Sequence, residues 1–252
     1  MKNHYKLRFS VLAASVSAAL LLSACQPTAE KVDPTTTEDV APVEATETDT
    51  TTAADPHAGH DMSADAMVAD GTPMTPMLKD YTESMTKMHK EMMIGMDYND
   101  PDAAFAQGML GHHIGAVDMA EIELKYGTDA EMRKLAQEII DAQQSEIATM
   151  KAWLADNPDA KTPTADTKAM QQAYADGMDA MHEEMMAGIA DPVPDMAFAR
   201  GMLPHHVGAV DMAETQLKYG KNPEMRKLAQ EIIDAQQPEI EQMQSWIAAQ
   251  KG

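Results

Sequence analysis

Residues 85 to 155 return at 178 to 248 without a gap, and about two-thirds of the aligned positions are identical. The offset is constant: His112 matches His205 (205 − 112 = 93), and the same step joins Met85 to Met178, Phe105 to Phe198 and Trp153 to Trp246. A chain that states one pattern twice must build two similar units, each presenting the same apolar faces. The differences gather where turns belong, as in "DYND" against "ADPV".

Each copy reads as three helices, spanning about 77–96, 101–126 and 130–154 in the first. Pro101 and Pro194 suit the first turn of the second helix, and Gly127 and Gly220 its end. Asp129 and Asn222 read as N-caps of the third helix, with Pro223 at its first position. Met132, Leu135, Ile139, Ile140, Ile147 and Trp153 then recur at helical spacing. No stretch alternates like a strand. The expected fold is all-α, two tandem helical-bundle repeats at 77–160 and 161–252.

What precedes the repeats is of another kind. Lys2, Lys6 and Arg8 lead an apolar run from Phe9 to Leu22, closed by "LSAC". That is an export signal over residues 1–24. It also resembles a bacterial lipobox, in which Cys25 becomes lipidated. Gln26, rather than Asp, after the cysteine points to the outer membrane, facing the periplasm, in a Gram-negative cell. Residues 25–76 are rich in Thr, Ala, Asp, Glu and Pro, and read as a disordered acidic tether. The membrane is met through the lipid alone. A net charge of −22 argues against nucleic acid, which needs a basic footprint.

The residues that carry chemistry are histidine and methionine. The chain holds 24 Met against 3 Phe and 2 Trp. Methionine specifies packing poorly, so this choice asks for a reason. Every histidine of the repeats falls into one of two matching sets: 89, 112, 113 and 182, 205, 206. Phe105, Met109, His112, Ala116 and Met119 share one stripe of the second helix; His113 lies about 100° round the axis. The first helix brings Met85, Met88, His89, Met92 and Met96 to one broad face, with Met93 four residues from His89. Imidazole with thioether is a soft donor set, favouring Cu(I) and also accepting Cu(II) through the imidazoles. The candidate ligands are His89, Met92, Met93, Met109, His112, His113 and Met119, then His182, Met185, Met186, Met202, His205, His206 and Met212. His57, His60 and Met62 in "HAGHDM" form a weaker candidate within the tether. Cys25 is the one cysteine, so neither a disulfide nor a thiolate cluster is available.

Two strings, "FAQGMLGHHIGAVDMAEIELKYG" and "EMRKLAQEIIDAQQSEIATMKAWL", resemble the family called domain of unknown function 305, which is ferritin-like and all-α. The shared residues are Met109, His112, His113, Ala116, Met119, Ala120, Met150, Trp153 and Leu154. The second copy supplies Met202, His205, His206, Ala209, Met212, Ala213, Met243 and Trp246. The resemblance implies periplasmic copper binding and copper resistance; a copper-transfer protein is the partner expected if the ion is handed on. The family often places Pro before His-His; Pro204 fits and Gly111 departs. A proline there should kink the helix and set the two His pairs at different angles.

Three other readings stay open. A metal oxidase of the di-iron type needs Glu-x-x-His, which this chain lacks, although Asp118, Glu121, Asp211 and Glu214 lie near the His pairs in sequence. A bundle with Met and His as haem ligands is a second. A metal-free interaction module with Met-rich grooves is the third. The expectation carried forward is a non-catalytic copper-binding lipoprotein in which each copy builds one soft-metal site.

Overall fold

The computed structural model describes residues 74–250. Cys25, the tether and its His57, His60 and Met62 lie outside them. Six helices follow in order: α1 (Pro76–Met96), α2 (Pro101–Tyr126), α3 (Ala130–Asp156), α4 (Thr167–Ile189), α5 (Pro194–Tyr219) and α6 (Pro223–Ala249). No strand occurs among the described residues. The expected helices form, to within one or two residues at their ends.

Local chemistry explains the boundaries. The Asp129 side chain accepts from the backbone N–H groups of Glu131 and Met132, and Asn222 does the same for Glu224 and Met225. Asp100 caps α2, with Pro101 in its first turn. Gly127 and Gly220 end α2 and α5, but in extended backbone (φ −72° and −70°), not in the left-handed form a glycine stop usually takes. Their smallness answers a different need. A Cβ at Gly127 would collide with the Glu123 carboxyl, and one at Gly220 with the Gln216 amide.

Within each repeat the second helix packs against the first and third, and α2 also packs against α5. These two central helices run antiparallel. His112 meets His205 at their crossing, with ring centroids 3.7 Å apart. Beyond it, the Met119 methyl reaches Gly201 and the Met212 methyl reaches Gly108, each 3.1 Å from where a Cβ would stand. A local two-fold axis therefore passes between His112 and His205. All six helices belong to one compact unit.

The crossing divides the core into two, and each core draws on both repeats. One joins α1 and the later part of α2 to Phe198 and Met202 of α5 and to Trp246 of α6. The other joins Phe105 and Met109 of α2 to Ala209 and Ala213 of α5 and to Met150 and Trp153 of α3. Fifteen methionines and three leucines are buried among the described residues, so most methionines here are packing residues. The sequence boundary at 160/161 thus separates copies of a pattern, while packing unites them.

Two aspartates tie the copies together. Asp102 of α2 accepts from the backbone N–H groups of Lys221 (3.1 Å) and Asn222 (3.0 Å), just before α6, and from the Gln216 amide at 2.6 Å. Asp195 of α5 accepts from the N–H groups of Thr128 (2.8 Å) and Asp129 (2.7 Å), just before α3. The counterpart of Gln216 is Glu123, which is buried. Its two oxygens have no donor among the described residues, and Asp195 is its nearest strong perturber after burial itself. Two carboxyl groups can bond only if one keeps its proton. Burial, then Asp195, pushes Glu123 up to about 9. Burial also raises Asp195, but the Asp129 N–H, Glu123 and the Thr128 N–H outweigh it and hold that carboxyl below its usual value. Glu123 therefore keeps its proton at neutral pH beside Asp195, in the place where, on the other side of the axis, Gln216 donates to Asp102.

Candidate metal centre

The crossing of α2 and α5 carries the chemistry. His112, His113, His205 and His206 are all fully buried. Small neighbours make the room for them: a Cβ at Gly111 would come within 2.8 Å of the Met92 backbone nitrogen, and one at Gly115 within 2.6 Å of the Met88 sulfur. Helix α1 therefore lies directly against the histidine turn of α2.

His113 Nε2 sits 2.7 Å from Glu146 Oε2 on α3, and His206 Nε2 sits 2.8 Å from Glu239 Oε2 on α6. These carboxylates hold the outer rings. The inner rings have no such partner. Neither nitrogen of His112 or of His205 has a hydrogen bond of good geometry among the described residues, nor has Nδ1 of His113 or His206; each inner ring has only a weak contact with the backbone of the other, which opposes the effect of burial. Burial, followed by the neighbouring His113 and His206, drives His112 well below the usual imidazole value. Burial, followed by His112 and His206, does the same to His205. Both inner rings are neutral, each with a free lone pair.

The two copies hold their pairs alike. The ring centroids are 6.2 Å apart in each, at 56° for His112–His113 and 54° for His205–His206. The expected effect of Pro204 on the pair angle is thus absent. Helix α5 continues through Pro204. Its histidines are fixed by contacts proline does not touch: His112 across the axis and Glu239 from α6.

The remaining candidates distribute around this layer. Met92, Met119, Met185 and Met202 are buried in one core, with Met93, Met186 and Met212 packed half-buried against it. Met109 is buried in the other. His89 and His182 form a second cross-repeat pair, half-buried, with centroids 6.2 Å apart. The histidines thus pair between copies, and the inner pair is shared by both repeats. Asp118, Glu121, Asp211 and Glu214 do not join them. Asp118 bonds Lys87 at 2.9 Å, and the other three are exposed. The carboxylates that do meet the histidines, Glu146 and Glu239, are absent from the sequence reading; their signal is a charge kept in both copies at the 93-residue step on an otherwise apolar helix edge.

Among the described residues no three His, Cys, Asp or Glu side chains converge as a metal-holding group. An ion here would have to take two imidazoles, supplemented by thioethers. That donor set suits a soft ion of low coordination number and not zinc, which takes four ligands in closed sites.

The family model described as "Domain of unknown function (DUF305)" matches residues 102–247. The chain belongs to this family. DUF305 chains of known structure are similar to it. CopM in the Ag-bound form is 33% identical, covering 60% of this chain and 97% of that one, with a TM-score of 0.46. A DUF305 fragment from Deinococcus radiodurans is 26% identical, covering 60% and 98%, with a TM-score of 0.47. A DUF305 protein from Streptomyces coelicolor is 25% identical, covering 61% and 96%, with a TM-score of 0.49. CopM is also known in Cu(I)-bound and Cu(II)-bound forms. Among curated proteins, Uncharacterized protein L153 of Acanthamoeba polyphaga mimivirus is 36% identical over 59 residues; the match spans 23% of this chain and 39% of that protein.

Proposed function

We propose that this chain binds copper at the cell envelope, Cu(I) ahead of Cu(II), and holds it for sequestration, resistance or transfer to another protein, without catalysis. Export and lipidation at Cys25 belong to this reading, as does an outer-membrane location. One observation carries it. Two neutral imidazoles, His112 and His205, are buried against each other, tilted by 50° with centroids 3.7 Å apart, and no ring nitrogen of either has a hydrogen-bond partner of good geometry among the described residues. Each orphaned nitrogen in an interior costs about 1–3 kcal/mol. A cation bound by the ring lone pairs relieves that cost, and neutral rings are the form in which imidazole ligates metals. The carboxylates of Glu146 and Glu239 fix the adjacent rings of His113 and His206 through Nε2.

The test is an anaerobic Cu(I) titration of the full chain against a chromogenic chelator, beside the variant His112→Ala/His205→Ala. The parent should withdraw copper from the chelator, and the variant should lose at least one equivalent of that capacity. If the parent withdraws none, copper binding is wrong and the metal-free interaction module becomes the better reading.

A further inference from the structure

The second feature that asks for an occupant lies beside the histidine layer. A cavity of about 20 Å³ opens where α1, α2, α4 and α5 meet, with Ala104 and Gly108 of α2 in its wall. Its walls include Met92 and Met96 of α1, Met178 and Met181 of α4, and Met212 of α5. Tyr174 also lines it, and that phenol O–H has no hydrogen-bond partner among the described residues. We propose that this cavity is a thioether-only site for one monovalent soft ion, Cu(I) or Ag(I), separate from the His112–His205 pair and present once per chain. It rests on the soft-metal reading above and extends it.

The volume admits about one water-sized sphere. An ion with its hydration shell does not fit, so an occupant must exchange water for the wall. Five of the lining side chains are thioethers, and none of the lining residues is charged. A hard or divalent cation would lose its hydration with nothing to replace it. A soft monovalent ion loses less and gains the donor it prefers. Leucine would fill the same space with better-defined packing, so five methionines around one hole are a choice of atoms and not only of volume.

The two-fold relation sharpens this. Stepping 93 residues, the counterparts of Met92, Met178, Met181 and Met212 are Met185, Met85, Met88 and Met119, again all methionine. Met96, however, corresponds to Ile189, and Gly177 in the wall corresponds to Ser84. One sulfur is gone, and a side chain stands where the cavity has none. A Cβ at Gly177 would find its nearest neighbour only at 4.0 Å, so that wall is loosely filled. Duplication has thus left the histidine layer symmetric, while the lining of this cavity differs between the copies at Met96/Ile189 and Gly177/Ser84.

The experiment uses the full chain and Ag(I) or Cu(I) alone as probe. Met96→Leu/Met178→Leu/Met212→Leu removes three sulfurs at nearly constant volume. It should lower the titration end point by one equivalent, whereas His112→Ala/His205→Ala keeps that equivalent. X-ray absorption at the copper edge of the histidine variant should then show a sulfur first shell. The single variant Met178→Leu, a smaller disturbance to folding, should weaken the same equivalent at least tenfold. An unchanged end point and affinity in the leucine variants, or a nitrogen-only shell in the histidine variant, overturns the cavity site while leaving the histidine site standing. Loss of copper by every protein, the parent included, overturns both.

Discussion

Replacing Glu123 with glutamine should stabilise the protein, and by more as the pH rises. The carboxyl is buried and sits near 9 in the folded chain, against 4.5 when unfolded. Between those values the folded state holds one proton that the unfolded state has released. Stability therefore falls as pH rises from about 4.5 to 9, by up to about 1.4 kcal/mol per unit from this group. At pH 7.5 three units have passed, which is about 4 kcal/mol at the limit. Water reaching the carboxyl and screening by solvent reduce this, and about 2 kcal/mol is the expected cost. Glutamine makes the Gln216-to-Asp102 contact on the other side of the axis without any proton to take up. Urea unfolding of parent and Glu123→Gln by circular dichroism, at pH 5, 6.5 and 8, measures the difference. The two should nearly coincide at pH 5 and separate to about 2 kcal/mol at pH 8, with Gln216→Glu moving the opposite way. A gap that is the same at pH 5 and pH 8 would refute the protonated Glu123, because a gap without pH dependence is packing and not linkage.

Glu146→Ala leaves His113 Nε2 buried without its 2.7 Å partner and should cost about 1–3 kcal/mol in thermal or urea unfolding. Glu239→Ala should cost the same within about 0.5 kcal/mol, since His206 is held at 2.8 Å in matching surroundings. Asp102→Ala strips the acceptor from Gln216, Lys221 and Asn222 and should cost about 3 kcal/mol, read as a lowered melting temperature.

The helices were legible because their signals are local. Capping by Asp129 and Asn222, proline at 101 and 194 and apolar spacing along α3 all act within a few residues. The histidines were legible as a set but not as a grouping. Helical spacing shows that His112 and His113 point apart; it does not show that His112 faces His205, which depends on how α2 crosses α5. Glu146 stands 33 residues from His113, and only the packing of α3 on α2 joins them. Gly127 marked the end of α2 correctly but not in the left-handed form, and Pro204 misled on the angle of the pair, for one reason. Their usual meanings are backbone meanings, and here the deciding neighbours are side chains: the Glu123 carboxyl for one, His112 and Glu239 for the other.

The crossed aspartates bear on how the molecule is made. Asp195 secures the turn that starts α3, and Asp102 the turn that starts α6. The first three helices leave the ribosome with their own fastening still untranslated, and with half of each core missing. Their full set of contacts forms only once the second copy arrives. A chain carrying a single copy would meet the same need by finding another of its kind, with two polypeptides supplying what one supplies here. The 93-residue echo then reads as an association made permanent by a peptide link, which frees each half to change without its twin, as Ile189 and Ser84 have done.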